Sequence, residues 1–95
     1  MAAYVIAQIE VVDPTQFETY RQQVPATIAA YGGRYVVRGG ASETLEGTWN
    51  PKRVVILEFP DRATAKAWWS SHAYSPVKAI REQAARTELI VIDGI

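Results

Sequence analysis

The order in which strand-like and helix-like stretches follow one another constrains this chain more than any single motif. Residues 3–11, Ala-Tyr-Val-Ile-Ala-Gln-Ile-Glu-Val, put Val5, Ala7, Ile9 and Val11 on one side and Tyr4, Ile6, Gln8 and Glu10 on the other. That period of two, rich in β-branched residues, predicts a strand. Asp13-Pro14-Thr15-Gln16 then opens a helix. Asp13 suits the N-cap, Pro14 the first helical position and Gln16 the far side of a capping box. Phe17, Tyr20, Val24, Ile28 and Tyr31 form its apolar stripe. Pro25 is expected to interrupt and kink the helix, and Gly32-Gly33 to stop it.

Residues 34–39 predict a second strand, 40–51 a turn-rich connection and 52–59 a third strand ending at Pro60. Asp61 is read as the N-cap of a helix through Ser71 that carries Trp68 and Trp69. Ser75-Pro76 is read as a second cap, restarting the helix through Ala85 with Val77, Ile80 and Ala84 inward. Residues 87–93 make the last strand. The order β-α-β-β-α-β is the ferredoxin-like signature of an α+β domain, and right-handed crossovers leave room for the third strand between the first and second. The expected architecture is a four-stranded antiparallel sheet in the order 4-1-3-2 with the helices on one face, a single domain over residues 1–95.

The other sheet face poses a problem. By parity it carries Tyr4, Ile6, Gln8, Glu10, Arg34, Val36, Arg38, Val54, Ile56 and Glu58, while Tyr35, Val37, Val55, Leu57 and Phe59 face the helices. A sheet face in contact with water should be polar, and this one is too apolar. The fourth strand, expected at the edge, is apolar on both sides at Leu89, Ile90, Val91 and Ile92, a hazard unless it is covered. Two such sheets packed face to face, a homodimer, remove both difficulties; a monomer with the 40–51 connection folded over the face is the competing arrangement.

Composition removes several classes of function. Ten acidic and ten basic residues balance, and the basic ones are dispersed, so the footprint of a nucleic-acid binder is missing. With no cysteine, disulfides, thiolate catalysis and iron–sulfur sites are excluded. The N-terminal stretch lacks the basic start of a signal peptide and is too broken by Gln8 and Glu10 to span a membrane, so a cytoplasmic location is expected.

From Gly33-Arg34-Tyr35-Val36-Val37-Arg38-Gly39-Gly40, through Leu45-Glu46-Gly47-Thr48-Trp49 and Pro51 to Pro60, then Ala67-Trp68-Trp69-Ser70-Ser71, Tyr74 and Asp93-Gly94, the chain resembles the domain of unknown function 1330 family. The resemblance covers essentially the whole length. It implies membership of the dimeric α/β-barrel superfamily, in which ferredoxin-like subunits pair sheet to sheet. That superfamily includes cofactor-free monooxygenases, lactone isomerases, haem enzymes and ligand-binding members, so activity is not implied.

Three groups of residues are candidates for chemistry. Pairing of the second and third strands places Arg34 near Glu58 and Arg38 near Arg53, with Glu10 toward Arg38; Arg38 is a candidate anchor for an acidic ligand and Glu58 a candidate base. The competing role is an ion-pair network that fixes dimer register. His72, the sole histidine, and Tyr74 are candidates for proton transfer and hydrogen bonding; a loop-packed histidine is the plainer reading. Trp49 and Trp68 are candidates for lining an aromatic pocket, against core packing for Trp68 and cover for a partner subunit for Trp49. No metal site is expected, because one histidine without carboxylates at ligand spacing makes a poor one, and no cofactor motif is present; a haem with His72 as axial ligand has no other motif in its favour. The functional expectation is a homodimeric domain binding a small acidic or aromatic molecule. The alternatives are a cofactor-free monooxygenase- or isomerase-like enzyme for an aromatic or carbonyl substrate, and a purely structural dimer.

Overall fold

The computed structural model describes residues 1–95. Strand β1 (Ala3–Val11) leads into α1 (Pro14–Ala30), then β2 (Arg34–Arg38), β3 (Arg53–Phe59), α2 (Arg62–Trp69), α3 (Ser75–Ala84) and β4 (Ala85–Asp93). The sheet runs β2-β3-β1-β4 with every neighbouring pair antiparallel, the order expected from the sequence. The Asp13 side chain accepts from the Gln16 amide at 3.1 Å and that of Asp61 from the Thr64 amide at 2.7 Å, so both N-caps form, but Gln16 does not close a capping box, because the Asp13 amide donates to the Ala84 carbonyl at 2.9 Å.

Three local expectations are corrected. Pro25 does not interrupt α1, which continues to Ala30; the ring removes one amide donor, a loss that packing of the Phe17, Tyr20, Val24 and Ile28 stripe outweighs. Ser75 does not cap α3. The helix has no side-chain cap; Tyr74 stands at its N-cap, and the preceding turn is closed by Ser71, whose hydroxyl donates to the Trp68 carbonyl at 2.8 Å and accepts from the Tyr74 amide at 3.1 Å. The fourth strand starts at Ala85 with no intervening loop, because the β1 ladder reaches Val11↔Ala85.

A fourth correction concerns the site. Arg34 opposes Glu58 and Tyr35 opposes Leu57, but Val37 then opposes Ile56 and Arg38 opposes Val55. One extra residue is inserted at Val36–Val37, a β-bulge, and every side chain beyond it changes face. Val37 therefore leaves the helix side, and Arg38 leaves the open face and turns under the helices. Glu10 does not approach it; Glu10 opposes Arg86 in the β1–β4 ladder, with 3.9 Å between charged atoms.

Val5, Ala7, Ile9, Leu57 and Phe59 meet the inner faces of the helices in one core. Gly33 permits this packing: a Cβ there would stand 2.5 Å from Phe59 Cε1 and 2.8 Å from Ile28 Cγ2. Gly33→Ala is expected to destabilise the protein by about 1–3 kcal/mol through overpacking, read as a lower urea midpoint with unchanged slope.

The open face is as apolar as its parity required. Ile90 is 56% exposed, Ile92 49% and Val36 46%. The 40–51 connection does not close it: residues 40–50 are exposed throughout, and Trp49 touches the sheet through one hydrogen bond from Nε1 to Gln8 Oε1 at 3.0 Å.

Candidate functional site

α1 packs most closely against α3 rather than against the strands. Its large side chains bridge the remaining gap to the sheet, and a chamber of about 40 Å³ survives beneath them. Its wall is mainly apolar, with four arginines, Arg21, Arg38, Arg53 and Arg81, and three tyrosines, Tyr20, Tyr35 and Tyr74. No carboxylate and no imidazole lines it.

Each arginine arrives from a different element. Arg81 lies four residues after Val77 and three before Ala84, on the inward stripe of α3, and is only 6% exposed. Arg21 follows Phe17 by four residues on α1 and is tied to Glu18 at 2.8 Å. Arg53 opens β3 opposite Ile9 and packs its guanidinium 5.7 Å from the centre of the Phe17 ring. Arg38, redirected by the bulge, lies 4.6 Å from the Tyr35 ring centre. A Cβ at Gly39, whose φ is +71°, would meet the Arg53 guanidinium, so this glycine provides both the turn and the space for that side chain. None of the four ion pairs in the molecule includes Arg38, Arg53 or Arg81. The Nε atoms of Arg21, Arg53 and Arg81 are buried without hydrogen-bond partners.

Like charges in a confined apolar space oppose one another. Burial, and then the neighbouring charges of Arg21 and Arg38, lower the pKa of Arg53 from its ordinary value. Tyr20 and Tyr74 hydrogen-bond to each other at 2.8 Å. Two hydroxyl hydrogens share this single bond, so one of them is left to donate elsewhere. Tyr74 also stacks on Trp68 with ring centres 4.2 Å apart. Trp68 Nε1 donates to Thr27 Oγ1 at 3.1 Å, which in turn donates to the Val24 carbonyl. The fully buried Trp68 and Tyr74 are thus core residues that also shape the chamber.

Burial, followed by the charge and hydrogen bond of Tyr74, raises the Tyr20 pKa; burial likewise raises that of Tyr35. The sign follows from linkage. Both groups stay protonated in the folded chain above 10.0, where the unfolded chain ionises. Their contribution is therefore complete below pH 10 and is lost as pH rises toward the folded values. Phenolate absorbance should show late-titrating tyrosines, and Tyr20→Phe should flatten the decline of melting temperature above pH 10.

The sequence candidates divide. Arg38, Trp68 and Tyr74 come together in the chamber. His72 does not: it is exposed on the turn between α2 and α3, while Tyr74 two residues later is buried. Glu58 is also elsewhere, held on the open face by Arg34, as the pairing predicted, and by the Tyr4 hydroxyl at 3.4 Å. Trp49 lies over that same face. A base–arginine pair of Glu58 and Arg38 is ruled out because the sheet stands between them. Sequence reading missed Arg21, Arg81, Tyr20 and Tyr35 as site residues and paired Arg53 with Arg38 without seeing a cavity. An arginine on each buried helix stripe was the available signal.

Comparison with known proteins gives the family and the fold. Residues 2–95 match the family described as Domain of unknown function (DUF1330). The chain belongs to this family. DUF1330 is thereby represented here by a ferredoxin-like domain with an arginine-lined chamber. A protein of unknown function from Rhodopseudomonas palustris superimposes with a TM-score of 0.76 at 18% identity, covering 99% of this chain and 82% of that one. A dimeric ferredoxin-like protein of unknown function from Jannaschia sp. CCS1 gives 0.71 at 10% identity, covering 99% and 100%. SnoaB, a cofactor-independent oxygenase from Streptomyces nogalater, gives 0.64 at 12% identity, covering 99% and 93%. These likenesses establish the fold. Comparison with the curated proteins finds no match. No helix is long and apolar enough to cross a membrane.

Proposed function

We propose that this DUF1330 protein is a homodimeric binding domain whose subunits pair through their open sheet faces and each hold a small acid by its carboxylate in the arginine chamber. The observation that carries the binding reading is the set of Arg38, Arg53 and Arg81 around an apolar space, with no carboxylate to balance them. Of these Arg81 is buried, Arg53 half-buried and Arg38 exposed; a desolvated guanidinium is costly until an anion arrives, and a carboxylate meets it with charge-assisted, bidentate hydrogen bonds. The unspent hydroxyl hydrogen of the Tyr20–Tyr74 pair adds another donor.

Binding is favoured over turnover because the chamber holds nothing suited to taking a proton near neutral pH. Burial pushes Tyr20 and Tyr35 upward, and His72 and Glu58 are outside it. The dimer reading rests on the exposed Ile90, Ile92 and Val36 and on the dimeric description of ferredoxin-like relatives.

The test is thermal denaturation with benzoate, phenylacetate and hexanoate, each beside its uncharged amide, with the ligand followed by NMR. The acids should stabilise, by about 2.7 kcal/mol at a hundred times Kd, and emerge unchanged. Equal stabilisation by the amides would remove the role of the arginines. Consumption of the acid would make the protein an enzyme.

A further inference from the structure

A second, much larger hollow adjoins the chamber. Between α2, α3 and β4 lies an open cleft of about 910 Å³ whose wall combines Ala67, Trp69, Leu89 and Val91 with the charged Arg62, Lys66, Glu82 and Glu88. Val5, Arg81 and Leu89 border both spaces. Arg81 is therefore the polar part of a thin partition, buried, with its Nε unpartnered.

The volumes decide what can occupy them. About 40 Å³ holds about two water molecules or one carboxylate group, whereas whole ligands of ordinary size need roughly 300–1,000 Å³. The chamber accommodates a head group and the cleft accommodates a body. Trp69 is fixed as one wall of the cleft by Lys78, whose Nζ lies 3.6 Å from the ring centre and donates to the Trp69 carbonyl at 3.1 Å.

We propose that chamber and cleft are one site for an elongated acid. Its carboxylate enters the arginine chamber, its apolar body lies along the cleft between α2 and β4, and Arg81 turns at the junction to meet the carboxylate. This rests on the acid-binding reading above and adds the shape of the ligand.

The experiment is titration calorimetry of the intact protein with the straight-chain acids hexanoate, octanoate and decanoate, and of an Ala67→Phe variant. Ala67 is exposed, so the variant fills the cleft without disturbing the core. Affinity should rise by up to about fourfold per added methylene. Ala67→Phe should abolish that rise. Equal affinity for all three acids, or a length dependence that survives Ala67→Phe, would overturn the elongated site and leave the chamber standing. Failure of every acid to bind would overturn both.

Discussion

Replacing Arg81 by methionine should make the ligand-free protein more stable and weaken its response to acids. Few substitutions of a buried residue combine these effects. Arg81 is 6% exposed, forms no ion pair and has an unpartnered Nε, so the folded state carries a desolvation penalty without a compensating contact. Methionine keeps the unbranched stem that packs beside Val77 and Ala84 and removes the charge. Apolar replacement of poorly compensated buried charge typically gains about 1–4 kcal/mol. For a domain of this size each kcal/mol moves the melting temperature by about 4–8 °C. Loss of the charge-assisted bonds, at about 1.5–3 kcal/mol each, should weaken acid binding roughly ten- to a hundredfold. A destabilised Arg81→Met protein would mean that the guanidinium has a structural partner in solution, and the binding role would lose its basis.

The second large effect is expected on the opposite face. Ile56 pairs with Ile6, and Ile6 with Ile90, at the centre of the open sheet. Ile56→Glu places two carboxylates, one from each subunit, in the proposed interface. Two lost isoleucine contacts at about 1.5–3 kcal/mol each, together with desolvation of charge, should weaken the dimer by well over a hundredfold. Size-exclusion chromatography with light scattering should report a dimer for the parent and a monomer for the variant at micromolar concentration. Circular dichroism should show the fold retained, since residue 56 faces away from the core. A parent that is monomeric at that concentration would refute the pairing.

These two faces were legible from the sequence to different degrees. Alternation along β1, the apolar run of β4, the caps at Asp13 and Asp61, and the stripe from Phe17 to Ile28 are local signals. Together they specify the elements, their order and the apolar excess of the open face. The strand order follows from crossover handedness, which is equally general.

The site is not local. The bulge at Val36–Val37 shifts the register by one residue, and with a side-chain period of two that shift carries Arg38 from the open face into the chamber. Nothing in Arg-Tyr-Val-Val-Arg marks where the extra residue is absorbed, because the choice depends on how β2 seats against β3. Arg21, Arg53 and Arg81 are far apart in the chain and meet only because α1 packs on α3 above the sheet, leaving the gap they surround. The exposure of His72 and the burial of Tyr74 are set by the turn that Ser71 closes. Periodicity and capping thus determined the scaffold, since both act over a few residues. Packing between distant elements decided which side chains share a cavity, since a one-residue shift or the stand-off of a single helix redirects charges that the sequence could only place on a strand or a stripe.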